Sequence, residues 1–305
     1  MILQNGEALE KVKLAEGNMS LVLSTPCGTE MIHHFIPKGA QWSLFPEKGR
    51  TATEAIYVLS GKLLLEYMEK KTILVKGDGL SSSPLTDDLI FEALEDSEFM
   101  YTTTEPIFYT YSNRVKELRE LSVAIGLKDG YTDDHCSRIR DISLKVGKQL
   151  GLTQSELFVL SFGSFFHDLG KIMIPEQILL KTDPLTEKER EALKLHTVYG
   201  GAILRETGQA HLIKAAEIVE QHHERYDGKG YPIGYEKDEI NMGAAIVAVV
   251  DSYDAMITDR VYQKRRTPMQ ALEEIKRCRG VNYHPDVVDA FIKVMQKEWN
   301  EDGTD

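Results

Sequence analysis

The sequence predicts a multidomain α and β chain: an all-β barrel over residues 1–112, followed by an all-α helical domain over residues 113–305. Three observations predict it. The first 110 residues hold short β-rich runs broken by glycine turns. Beyond them, apolar residues recur at steps of three and four behind helix-start signals. The chain has 305 residues and is 42% hydrophobic, enough for two ordinary cores.

In the β part, Ala55-Ile56-Tyr57-Val58-Leu59 and Lys62-Leu63-Leu64-Leu65-Glu66 flank Ser60-Gly61, and Thr72-Ile73-Leu74-Val75 runs into Lys76-Gly77-Asp78-Gly79. Strand formers bounded by turn formers read as a small antiparallel barrel. His33 and His34 are adjacent on an upstream strand. Their side chains should point to opposite faces and serve structure rather than share a ligand. Val115, Leu118, Leu121 and Ile125 then mark a short amphipathic helix, the first of the helical domain or a signalling linker.

From about Asp133 to Leu150, Ile139, Ile142, Val146 and Leu150 form one stripe, and His135 lies a turn before Ile139 on that inward face. A Thr153-x-x-Glu156 capping box opens a nearly all-apolar helix that runs into His167-Asp168, with Lys171 expected over the same patch. A second box, Thr186-x-x-Glu189, opens a helix on which Leu193 and His196 share a face. Ala215, Ile218 and His222 follow the helical step, and Val219 and His223 are four apart. Asp251 comes straight after Ile246-Val247-Ala248-Val249-Val250 and should sit in the core, where a bare carboxylate costs several kcal/mol unless paired or metal-bound.

Five histidines and two aspartates on inward faces point to metal. Neutral imidazoles with carboxylates suit zinc, iron, manganese, cobalt or nickel. More than four ligands with a shared aspartate imply two ions rather than one structural zinc.

The ordered set His135, His167-Asp168-Leu169-Gly170-Lys171, His196, His222-His223-Glu224-Arg225-Tyr226-Asp227-Gly228-Lys229-Gly230-Tyr231-Pro232 and Asp251-Ser252-Tyr253-Asp254 resembles the HD-GYP family of cyclic-dinucleotide phosphodiesterases, over roughly residues 113 to 298. The resemblance implies that His135, His167, Asp168 and Asp251 hold one metal, with Asp168 bridging to a second held by His196, His222 and His223. It implies two divalent ions, iron or manganese foremost, and a bridging hydroxide that attacks phosphorus in a cyclic dinucleotide, cyclic di-GMP foremost. Asp168 and Lys171 are the expected catalytic residues, and Lys171, Arg260 and Lys264 the expected phosphate contacts. The loop Asp227, Gly228, Gly230, Tyr231 and Pro232 should line the site mouth and offer a docking surface to a diguanylate cyclase. Its glycines are expected to take positive φ and Pro232 to stiffen its exit.

The chain departs from the family's pattern at Val261, Gln263, Ala245 and Tyr283-His284-Pro285, none of them a matched ligand. Tyr131 stands where some members carry a glutamate that helps hold a third ion, so two ions are expected here. The alternatives are a weakly catalytic cyclic-dinucleotide receptor and a phosphohydrolase of another nucleotide.

Glu54, Gly61 and Gly77-Asp78 resemble the cupin family over roughly residues 20 to 108. The family's metal motif places histidines shortly before the glutamate, and Arg50-Thr51-Ala52-Thr53 has none. The resemblance implies a metal-free sensor of an unknown small ligand, or a homodimerisation module. No apolar run approaches the ~18 residues of a membrane span, and no basic hydrophobic leader opens the sequence, so a cytoplasmic protein is expected. A net charge of −12 opposes general binding to DNA or acidic membranes. Cys27, Cys136 and Cys278 form no CxxC pair, so neither a disulfide framework nor a zinc knuckle is expected.

Overall fold

A computed structural model of the chain describes residues 7–13, 17–46, 49–67, 70–108, 120, 134–258 and 266–301. The chain forms two compact units, Met1–Glu117 and Leu118–Asp305. Val115, Leu118, Leu121 and Ile125 lie outside the described residues, as do Tyr131, Asp133, Arg260, Val261, Gln263 and Lys264.

The first unit is all-β and cupin-like. Strands β1 (Glu10–Lys13), β2 (Asn18–Ser24), β3 (Glu30–Ile36), β4 (Gln41–Leu44), β5 (Glu54–Ser60), β6 (Lys62–Tyr67), β7 (Lys70–Val75), β8 (Gly79–Ser82), β9 (Leu89–Ala93) and β10 (Ser97–Thr103) pair antiparallel. One sheet has the order β1-β2-β3-β10-β5-β8 and the other β4-β9-β6-β7. Gly61, at φ 82°, turns the chain from β5 in one sheet into β6 in the other, so these two neighbouring runs do not pair as a hairpin. Met19, Ile32, Trp42, Val58, Leu63, Phe91 and Phe99 fill the space between the sheets.

Buried and part-exposed residues alternate along β3, which sends His33 and His34 to opposite faces. His34 stacks on Phe99 at a centroid distance of 4.9 Å and 7° between planes. It borders a cavity of about 50 Å3 lined also by Met19, Ile32, Trp42, Tyr101 and Phe108. His33 meets Glu98 at 3.2 Å on the other face. Buried Glu54 accepts from the Tyr101 hydroxyl at 2.7 Å and from Arg50 Nε at 3.2 Å. Arg50 thus supplies a cation at the motif's glutamate.

The second unit is helical. Its helices are α1 (Asp134–Leu150), α2 (Gln154–Phe165), α3 (Glu176–Leu179), α4 (Glu187–Lys194), α5 (His196–Glu206), α6 (Ala210–Gln221), α7 (Met242–Ile257), α8 (Pro268–Arg277) and α9 (Pro285–Glu301), with 3₁₀ turns at Leu169–Met173 and Lys237–Glu239. Both capping boxes form, Thr153 with Glu156 at α2 and Thr186 with Glu189 at α4. The β-branched run of α7 is a poor intrinsic helix former. It is helical because the helix is enclosed: Ile246, Val247, Val249 and Val250 are fully buried among residues of α1, α2, α6, α8 and α9. Asn241 caps its start by accepting from the Gly243 and Ala244 amides.

Glycines set how closely the site-bearing helices approach. A β-carbon at Gly163 of α2 or at Gly243 of α7 would lie within 2.7 Å of Ile218 side-chain carbons on α6. Ile218 is therefore clasped from both sides. That contact draws together the three helices whose ends or faces carry His167, His222 and Asp251.

Candidate metal centre

Each histidine of the expected set is placed by a helix end or an inward stripe. His135 is in the first turn of α1, on the stripe that buries Ile139 and Val146, and is itself buried. Helix α2 stops at Phe165, so His167 and Asp168 follow it in a turn, and Lys171 reaches the patch from a 3₁₀ helix rather than an α-helical continuation. Its Nζ lies 2.8 Å from Asp168 Oδ2. The segment Glu187–Glu206 is two helices, broken at Leu195, and His196 starts the second. Helix α6 ends at Gln221, leaving His222 as its C-cap and His223 just beyond.

These positions give two groups of donor atoms, each within 4.8 Å of one another. His135, His167 and Asp251 make one, and His196, His222 and His223 the other. Asp168 lies between them. Its Oδ2 is 3.3 Å from His167 Nε2 and its Oδ1 is 3.4 Å from His196 Nε2, one oxygen toward each group. Asp251 Oδ1 is 3.9 Å from both His135 Nε2 and His167 Nε2.

Hydrogen bonds behind the rings fix which nitrogen faces inward. The Nδ1 atoms of His167, His196 and His222 meet the carbonyls of Ser164, Leu193 and Val219 at 2.7–2.8 Å. A carbonyl only accepts, so each Nδ1 carries a proton, and whenever the ring is neutral its Nε2 presents a lone pair. Those three buried Nε2 atoms have no hydrogen-bond partner among the described residues. Buried polar atoms are nearly always satisfied. A cluster of inward lone pairs around carboxylates fits a divalent cation.

The charge balance agrees with that fit. Burial pushes the imidazoles of His196, His222 and His223 down, His223 to about 3, and so keeps them neutral. Burial also disfavours charge on His167, but the Asp168 carboxylate beside it outweighs this and carries its pKa up to about 9. For Asp168 burial opposes charge, and Lys171 and then His167 more than offset it, holding the carboxyl well below its usual range. Burial pushes Asp251 up. A cation in the Asp251 group would draw both His167 and Asp251 toward their deprotonated forms.

Two expectations require correction. Asp251 is not sealed in the core, since its side chain is 19% exposed and turned to the site. The fully buried carboxylate of α7 is Asp254, one turn on, which takes His135 Nδ1 at 2.7 Å and Arg138 at 2.8 and 3.0 Å. Sequence reasoning gave Asp254 and Arg138 no role, although the three-residue step from Asp251 to Asp254 places them on one helix face. Gly228 takes positive φ, 72°, but Gly230 does not. Gly230 is needed for close approach, because a β-carbon there would stand 2.3 Å from the Arg225 nitrogen.

The Asp227–Pro232 loop sits beside the second group. Tyr231 lies 4.8 Å from the His223 ring, and its amide donates to the His223 carbonyl at 3.2 Å. Lys194 Nζ sits over the Tyr231 ring, 5.6 Å from its centroid. Arg225 grips Asp227 with two bonds at 3.0 and 2.8 Å, and the Asp227 amide donates to Val281. Buried Glu224 accepts from the Ile233 and Gly234 amides at 2.7 and 3.0 Å, anchoring the exit beyond Pro232. His284 accepts from the Asp286 amide at the start of α9, and Ala245 packs in the core. Arg260 and Lys264, the expected phosphate contacts, lie outside the described residues.

Residues 119–287, more than half of the chain, match the HD domain family. The chain belongs to that family. A cyclic di-GMP phosphodiesterase of Thermotoga maritima is 38% identical over 197 residues, covering 64% of this chain and 53% of that protein. A cyclic di-GMP phosphodiesterase response regulator of Xanthomonas campestris is 37% identical over 176 residues, 58% of this chain and 47% of the relative. A crystal structure of a cyclic GMP-AMP specific phosphodiesterase of Vibrio cholerae aligns with a TM-score of 0.46 and 20% identity, covering 59% of this chain and 48% of that one. The chain spans about half the length of the curated relatives it matches. With its intact Asp227–Pro232 segment, this HD domain falls in the HD-GYP branch.

Proposed function

We propose that the helical unit is a metal-dependent phosphodiesterase that opens a cyclic dinucleotide, cyclic di-GMP foremost, at a two-ion centre. The observation that carries this reading is Asp168, which turns one carboxylate oxygen to each of two three-donor groups. His135, His167 and Asp251 would hold one ion and His196, His222 and His223 the other, with Asp168 shared. Two divalent ions, iron or manganese foremost, would lower the pKa of a bound water and neutralise charge on the phosphoryl oxygens.

The chain's own residues do the rest. Carbonyls behind His167, His196 and His222 hold those three rings with Nε2 aimed inward. Lys171 keeps a fixed cation beside Asp168, where it would meet an anionic phosphodiester that the net charge of −12 otherwise repels. Tyr231 covers one side of His223 and makes the Asp227–Pro232 loop a wall of the site. Arg260 and Lys264 are proposed as further phosphate contacts, and the loop as the surface for a diguanylate cyclase partner. The β unit, residues 1–112 in this reading, is proposed as a metal-free module that senses a small ligand or pairs two chains. A cytoplasmic location is proposed for the chain.

The relatives' names divide between cyclic di-GMP and cyclic GMP-AMP, so the decisive assay offers both. Full-length protein purified without oxygen should carry two metal ions per chain and cleave at least one of the two. Asp168→Ala should lower turnover by ~100-fold or more. A variant that cleaves both substrates like the parent would refute the mechanism.

A further inference from the structure

The four inward-facing rings of His135, His167, His196 and His222 are not held alike. Three of them, at positions 167, 196 and 222, rest on a neutral carbonyl three residues earlier in their own segment. His135 rests on a charged side chain from another helix: Asp254 Oδ2 of α7, 2.7 Å from its Nδ1. Asp254 is fully buried, whereas Asp251, on the same face of α7, is turned to the site. Arg138 grips Asp254 from the side, Nε to Oδ1 at 2.8 Å and Nη2 to Oδ2 at 3.0 Å, and Thr258 Oγ1 adds a contact to Oδ2 at 3.3 Å.

We propose that Asp254 is a positioning residue that commits His135 to metal binding through Nε2, acting on the Asp251-containing site and not on its neighbour. The inference rests on the two-ion reading above. A buried carboxylate held by an arginine only accepts, so Nδ1 of His135 carries the proton and the Nε2 lone pair faces Asp251. His135 stands in the first turn of α1, and a side chain from α7 takes at its Nδ1 the role that backbone carbonyls take for the other three rings. One helix therefore provides both a donor, Asp251, and the partner that orients a second donor, His135. Arg138 balances the buried charge of Asp254, so the carboxylate acts chiefly by fixing the ring and its tautomer.

The test is metal stoichiometry and affinity of full-length protein, read by elemental analysis and by competition with a chromophoric chelator, using Mn2+ as the probe. Asp254→Leu removes the acceptor at similar volume and should retain one ion per chain where the parent retains two. Asp254→Asn keeps an acceptor oxygen and should retain two, with one site weakened by ~10-fold. Arg138→Gln breaks the ion pair but leaves the acceptor, and should retain two at parent affinity. The proposal is overturned if Asp254→Leu keeps both ions at parent affinity or loses both. It is also overturned if Arg138→Gln loses the same ion, which would make the pair a structural tie. Should Asp254→Leu not fold, the contrast between Asp254→Asn and Arg138→Gln decides alone. A parent that binds fewer than two ions would instead defeat the two-ion reading, a separate outcome.

Discussion

Gly170 lies so close to His196 that a β-carbon on it would stand 1.9 Å from the His196 carbonyl oxygen and 2.4 Å from the Gly200 amide nitrogen. The obstructing atoms are backbone and have no rotamer to yield. This contact presses the turn carrying His167, Asp168 and Lys171 onto α5, and so sets the spacing between the two donor groups.

Gly170→Ala should therefore damage both stability and the site. Overpacking against rigid backbone is expected to cost about 3 kcal/mol, read from the urea midpoint of the chelated protein, and to lower the number of bound ions. A variant within 1 kcal/mol of the parent would show that the segment is free to move apart.

The Asp227–Pro232 loop is expected to depend on Glu224, whose buried carboxylate accepts from two amides beyond Pro232. Glu224→Ala leaves the Ile233 and Gly234 amides without that acceptor, at a cost of about 2 kcal/mol. Amide exchange should quicken over residues 227–236 and stay unchanged in α7. Unchanged exchange at Ile233 and Gly234 would refute the anchoring role.

The β unit should be acid-sensitive through His34. Burial pushes this imidazole down to about 3 from an ordinary 6.5, so between those values the unfolded chain binds a proton that the folded chain does not. Stability then rises with pH through the window and is lost as pH falls from 6.5 toward 3, by ~1.4 kcal/mol per unit. His34→Phe keeps a ring against Phe99 and removes the titration, so its advantage over the parent should grow steadily as urea midpoints are taken from pH 6.5 to 4.5. Parallel curves for the two proteins would contradict this.

Much of the helical site was legible because its determinants are local. The stripe of Ile139, Ile142 and Val146 turns His135 inward, and the two capping boxes mark the starts of α2 and α4. What escaped notice depends on distance through space. The 119-residue separation of His135 and Asp254 hides their contact from any periodicity, and the break at Leu195 has no glycine or proline to mark it. Asp251 was expected in the core because its neighbours are apolar. A helix wholly enclosed by others still needs a face for the site, and Asp251 lies on it. In the β unit the runs on either side of Gly61 were recognisable as strands, but assignment to two different sheets is a property of the closed barrel.

The donors are gathered from five separate stretches, beginning at His135 in the first turn of α1 and ending at Asp251 in the middle of α7. During synthesis most of this unit has left the ribosome before Asp251 joins the others. Closing so long a loop in an unfolded chain costs entropy, and the clasp on Ile218 and the enclosure of α7 meet that cost with apolar packing that needs no ion. The scaffold is thereby built to stand without its metal, and chelated protein is expected to keep its helical signal and to take up metal again without unfolding.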